Sequence, residues 1–72
     1  MTMESDGKKI YTTLADAREA RNISQSALSR KSGVIQADIS RIENGKSNPT
    51  MNVLERLANA LGMKVNILFE EK

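Results

Sequence analysis

Cysteine and histidine are both absent from this 72-residue sequence. Without thiols, disulfides and thiolate metal sites are excluded. Without imidazole, the commonest general base and the commonest metal ligand are missing too. Ser24, Ser26 and Ser29 have no histidine to activate them as nucleophiles. No pair of catalytic acids is evident, so no enzyme, metal or cofactor is expected. Long apolar runs are also lacking. The opening stretch MTMESDGKK has nothing to serve as a signal peptide, and no segment approaches transmembrane length. The expected location is therefore cytoplasmic. There is no internal repeat and no low-complexity segment. So short a chain makes one small domain with little core, a class that often gains stability from oligomerisation.

Net charge is small in total but uneven in place. The formal net charge is +2, with Glu4, Asp6, Glu70 and Glu71 near the ends. Between Gly7 and Lys64, ten Lys and Arg face five acids, which leaves the middle at +5. That balance suits a polyanionic partner, although many ordinary domains share it.

Residues 1–9 read as a flexible tail, 10–62 as a folded domain and 63–72 as a separate carboxyl-terminal segment. A first helix should begin near Thr13, with Asp16 three residues on in a variant of the capping box. Leu14, Ala17, Arg18 and Arg21 share one of its faces. Asn22 is a plausible stop, and Ile23 a hydrophobic plug after it. Ser24 is a good N-cap for a second helix, Gln25–Ser32, anchored by Leu28. Gly33 can take the positive φ of a tight corner. A third helix should run from Gln36 to Asn44 and stop at Gly45. After the loop GKSNP, Thr50 can cap a fourth helix reaching Leu61, with Gly62 behind it. Met51, Leu54, Leu57, Ala58 and Leu61 recur at helical spacing and read as core. In MKVNILFEEK, Met63, Val65, Ile67 and Phe69 alternate with Lys64, Asn66 and Leu68, mostly strand periodicity. A lone strand leaves its backbone groups unpaired, so the natural partner is the same strand of a second copy. A short helical turn is the alternative.

The third helix poses a question of its own. Ile35, Ile39 and Ile42 fall at helical spacing, while Gln36, Ala37, Asp38, Ser40 and Arg41 form a face that is polar but only half charged. Two short helices joined by a glycine-bearing turn make a helix-turn-helix, and Gln25–Ser32, Gly33–Ile35 and Gln36–Asn44 fit that spacing. In that motif the second helix enters the major groove, whose width just admits an α-helix, and presents its first residues to base edges. A sparsely charged polar face then makes sense, because it must match the donors and acceptors of bases.

ISQSALSRKSGVIQADISRIENGKSNP resembles the phage-repressor-like helix-turn-helix family of the Cro/repressor or Xre type. The matching residues are Gln25, Leu28, Gly33, Val34, Ile39, Ser40, Arg41, Ile42, Glu43, Asn44, Gly45 and Pro49, and LERLANALG resembles the family's next helix. The resemblance spans roughly Leu14 to Gly62. It implies a compact all-α domain of four or five helices that binds operator DNA as a dimer. It further implies that Gln36, Ala37, Ser40 and Arg41 read bases in double-stranded DNA. Gln25, Lys46, Ser47 and Asn48 would touch phosphates, setting register and affinity rather than sequence preference. Arg18 and Glu43 match a family ion pair joining the first helix to the end of the third, a structural role.

Two residues depart from the family pattern. Ser or Thr usually stands where this chain has Ile35, which can neither cap the third helix nor bond a phosphate, but can meet a thymine methyl. Asp38 puts an acid close to DNA. It can accept from cytosine N4, yet an acid in a first helical turn also simply suits the helix dipole. Arg30 and Lys31 read as solvated. The resulting expectation is a transcriptional repressor acting as a homodimer on a palindromic operator. Val65, Ile67 and Phe69 would form the dimer contact. The strand pattern also resembles type II antitoxins, which would add a toxin protein as partner. The rival expectation is a protein-interaction module built on the same scaffold, with Ile35 and Asp38 in the contact face.

Overall fold

The computed structural model describes residues 9–66 together with Phe69 and Glu71. Four helices follow one another: α1 Leu14–Ala20, α2 Gln25–Ser32, α3 Gln36–Glu43 and α4 Met51–Ala60. Three of them begin on a hydroxyl cap. Thr13 accepts from the Asp16 N–H at 3.1 Å, Ser24 from Ala27 at 3.0 Å and Thr50 from Val53 at 3.2 Å. Each bond satisfies one of the backbone donors that a helix start leaves over. α3 is the exception, because Ile35 at its N-cap offers no side-chain acceptor.

The helix ends follow an equally local rule. After α1, α3 and α4 the chain turns on a residue with positive φ: Asn22 at 56°, Gly45 at 72° and Gly62 at 70°. At each, paired backbone bonds close a Schellman turn. The clearest is at α3, where Gly45 N–H donates to the Ile42 carbonyl at 3.1 Å and Lys46 N–H to the Arg41 carbonyl at 2.8 Å. α2 ends on Gly33 in the left-handed region, its N–H on the Ser29 carbonyl at 2.9 Å. Only three residues then separate α2 from α3, so the two helices must cross sharply.

Buried side chains from all four helices and the Gly33 corner meet in one core of Ala17, Leu28, Val34, Ile39, Leu57 and Leu61. Leu28, Ile39 and Leu57 are the fully enclosed ones. Tyr11, Leu14, Ile23, Ile42, Val53, Ala60 and Met63 pack around them. α2 lies against both α3 and α4, and α1 against α3. This core fixes α3 with Ile39 inward, which leaves Ala37 and Arg41 on the opposite side.

The core stripe expected on α4 needs correction. Leu57 and Leu61 are buried, but Met51 is 39% exposed. Leu54 is half-buried, whereas Val53 and Ala60 pack on the core. The inward face of α4 is thus Val53–Leu57–Ala60–Leu61, one step round from the stripe. Both sets obey helical spacing, and periodicity alone does not choose between two apolar stripes on one helix.

Beyond Gly62, residues 63–66 have no regular secondary structure, and no strand forms among the described residues. Val65 is half-buried and Phe69 is 95% exposed, while Ile67 lies outside the described residues. No described helix is long and apolar enough to cross a membrane.

Candidate nucleic-acid interface

α3 presents its outer side unobstructed. Gln36, Ala37 and Arg41 are exposed, and Ser40 is half-buried at the flank. Lys46, Ser47 and Asn48 are exposed in the loop that follows. The surface therefore joins a polar helix face to a loop carrying one cation and two small hydrogen-bonding side chains. Ile35, 61% exposed, sits at the start of the same helix.

Behind this face lies a part-buried polar cluster. Arg18 of α1 donates through Nε to Glu43 Oε2 at 2.7 Å and through Nη2 to Oε1 at 3.1 Å. The two side chains are 14% and 7% exposed. Gln25, the first residue of α2, donates through Nε2 to Glu43 Oε1 at 3.0 Å. Arg18 also reaches the Ile23 carbonyl at 2.8 Å, between α1 and α2. One carboxylate at the end of α3 thus ties together the helices on either side of the α1–α2 link. The Arg18 bonds hold the Glu43 carboxyl below its usual pKa; burial opposes them and the Gln25 bond assists. Arg18 is shifted up, chiefly by the same Glu43 bonds. Among the described residues no buried side-chain polar atom is left without a partner.

The helix-turn-helix family profile matches residues 14–68. The chain belongs to this family. Helix-turn-helix domains place their second helix in the DNA major groove, so this is a DNA-binding domain, not an enzyme. The 10 kDa protein of the ImmF control region of Bacillus phage phi105 is 30% identical over 63 residues, covering 88% of this chain and 70% of that protein. An uncharacterized HTH-type transcriptional regulator of Sinorhizobium fredii (strain NBRC 101917 / NGR234) is 42% identical over 56 residues, which is 78% of this chain. The match spans only 29% of that second protein. No solved structure matches the chain.

Within the helix-turn-helix, Gln25 stands where α2 begins, half-buried and bonded to Glu43. Its carbonyl and second N–H are not engaged by that bond, so bracing and an outward contact are compatible. Two contacts were not anticipated from the sequence. Arg41 Nη2 donates to Asp38 Oδ1 across one turn of α3, with both side chains well exposed. Opposite charges three residues apart on a helix are the signal that announces such a pair. Arg21 Nε donates to the Leu61 carbonyl at 2.7 Å, which caps the end of α4 from α1. Forty residues separate these two, and nothing local in the sequence links them.

Proposed function

We propose that the protein is a sequence-specific transcriptional repressor that binds a palindromic operator as a homodimer. The observation that carries this reading is the outer face of α3. It is uncovered by any other part of the described chain, and it is held rigidly from behind by the Arg18–Glu43–Gln25 cluster. A helix meant for solvent needs no such brace. A helix that must present donors and acceptors to base edges within a fraction of an ångström does. Gln36, Ala37, Ser40 and Arg41 are the base readers in this proposal, and glutamine in particular can pair bidentately with adenine. Gln25, Lys46, Ser47 and Asn48 hold phosphates. The names of the two relatives, a phage control-region protein and a transcriptional regulator, support a regulatory role.

The dimer rests on a different flank. Met51, Ala58 and Val65 line one shallow groove beside α4 together with Glu55, Asn59 and Lys64, and Met51 and Phe69 are exposed, Phe69 almost fully. Apolar side chains left in solvent are what a second copy would cover. Residues 63–72 are accordingly the proposed dimerisation segment, with Val65, Ile67 and Phe69 facing the partner. Two-fold symmetry would set the half-sites about 34–36 Å apart. Strand pairing of this segment, and a toxin bound to it, would make the protein an antitoxin.

Selection of bound duplexes from a random-sequence pool, at two salt concentrations, tests the central claim. An enriched inverted repeat is the expected result. Enrichment of a single half-site would refute the dimer, and retention without enrichment would refute base reading. Size-exclusion chromatography of a chain lacking residues 63–72 tests the segment, and an intact dimer would exclude it. The exposed Ile35 favours a second reading, in which the same face docks a protein. The salt dependence separates the two, because contact with several phosphates makes affinity fall steeply with salt.

A further inference from the structure

The geometry points to Asp38 as the positioning residue for Arg41. The proposal rests on the reading of α3 as the base-reading helix and assigns a specificity-determining role within it. An acid on a DNA-facing surface weakens binding to every duplex, because it repels phosphates. Its presence therefore calls for a compensating role, and the contact between Asp38 Oδ1 and Arg41 Nη2 supplies one.

Asp38 sits one turn before Arg41 and flanks the outermost line of α3, on which Ala37 and Arg41 lie. Arg41 is exposed, with nothing but Asp38 among the described residues to hold its guanidinium. A free arginine at such a position samples many rotamers and sweeps across neighbouring bases and phosphates. Anchored at Nη2, it is restricted to conformers that lie along the helix surface. A guanidinium has five N–H donors in a planar fork. Whichever Nη2 hydrogen Asp38 takes, one two-pronged edge stays open. That edge matches guanine O6 and N7, the commonest specific arginine contact. Anchoring also blocks a competing use of Arg41. Left free, it would satisfy itself on the nearest phosphate, adding affinity without sequence preference. Asp38 thus trades general affinity for discrimination at one base pair in each half-site.

The consequences for Asp38→Ala run in opposite directions. Binding to random duplex should tighten, since a negative charge leaves the interface. Preference for guanine at the Arg41 position should fall by about two- to twelve-fold, the range set by immobilising one rotamer-rich side chain. The experiment is the same duplex selection run on wild type, Asp38→Ala and Arg41→Ala. A parallel 15N relaxation measurement on the Arg41 Nε–H follows the free proteins. The expected result is that both variants lose preference at the same base pair, and that Arg41 is ordered in wild type but mobile in Asp38→Ala. Equal tightening on selected and random duplexes with an unchanged base profile would overturn the proposal, leaving Asp38 as a mere repulsive charge. So would a mobile Arg41 in the wild-type protein, whatever the DNA result. An ordered Arg41 in a wild-type protein that enriches no sequence would instead refute the base-reading function and leave the ion pair standing.

Discussion

Removing the Glu43 carboxylate tests how much of the fold depends on a single, largely enclosed charge. Glu43 accepts two bonds from Arg18 and one from Gln25, and its side chain is 7% exposed. In Glu43→Ala the Arg18 guanidinium, 14% exposed, keeps the Ile23 carbonyl and a 3.8 Å approach to Glu19. Breaking one side of a buried pair in this way costs about 3–5 kcal/mol. At about 0.05–0.15 kcal/mol per residue a domain this size has only about 4–11 kcal/mol in total. The substitution should therefore remove about a quarter or more of the stability. With about 4–8 °C per kcal/mol for a domain of this class, the melting midpoint should drop by more than about 12 °C. Urea unfolding followed by circular dichroism at 222 nm measures the loss directly. Replacing both partners, as Arg18→Met with Glu43→Leu, should recover much of it, because the desolvation cost goes with the pair. A Glu43→Ala loss under about 1 kcal/mol would refute the reasoning. It would mean that water reaches the site and that the charge is not buried in solution. A double variant as unstable as the single one would show instead that shape, not charge, is the constraint.

Other outcomes follow from the same structure. Ile35→Ser should stabilise the protein by about 0.5–2 kcal/mol in thermal melts, since α3 lacks a capping acceptor and Ile35 is 61% exposed; no gain would mean that the helix start is already satisfied. Gly33→Ala should cost about 1–2 kcal/mol in the same assay, because φ is 78° there, and an unchanged midpoint would show that the corner relaxes. Acid should unfold the wild type through Glu43. Its folded-state pKa is depressed, so its contribution is complete above the unfolded carboxylate pKa of about 4.3 and is lost as pH falls through the lower folded value. Glu43→Gln should flatten the stability profile below about pH 4.3, measured by urea midpoints across pH; an equally steep fall in the variant would place the acid sensitivity elsewhere.

The parts of this molecule that could be read from its sequence are those decided within a few residues. Thr13, Ser24 and Thr50 cap helices because a hydroxyl one position before a helix meets the N–H three residues on, whatever lies elsewhere in the chain. Asn22, Gly33, Gly45 and Gly62 end helices because they tolerate positive φ. These local signals place α2, the corner and α3, and so the candidate site. Choices that depend on the packed whole were less legible. α4 carries two apolar stripes, and which one faces inward is settled by where α2 stands, not by α4. The Arg18–Glu43 pair was legible only through resemblance, since 25 residues separate its members.

Asp38 shows a third kind of limit. Its spacing to Arg41 is plain in the sequence, but DNA phosphates and the helix dipole each suggest a role for the acid on their own. Neither view includes the neighbouring side chain, which is the one group certain to be present when DNA is not. On a helix that reads bases, each polar side chain competes for two sets of partners, those on its own helix and those in the groove. An arginine already paired by its helix gives up some general affinity for phosphates and gains a fixed direction. The ratio of specific to non-specific binding, rather than affinity for one duplex, is what that exchange improves, and among many competing sites that ratio governs occupancy.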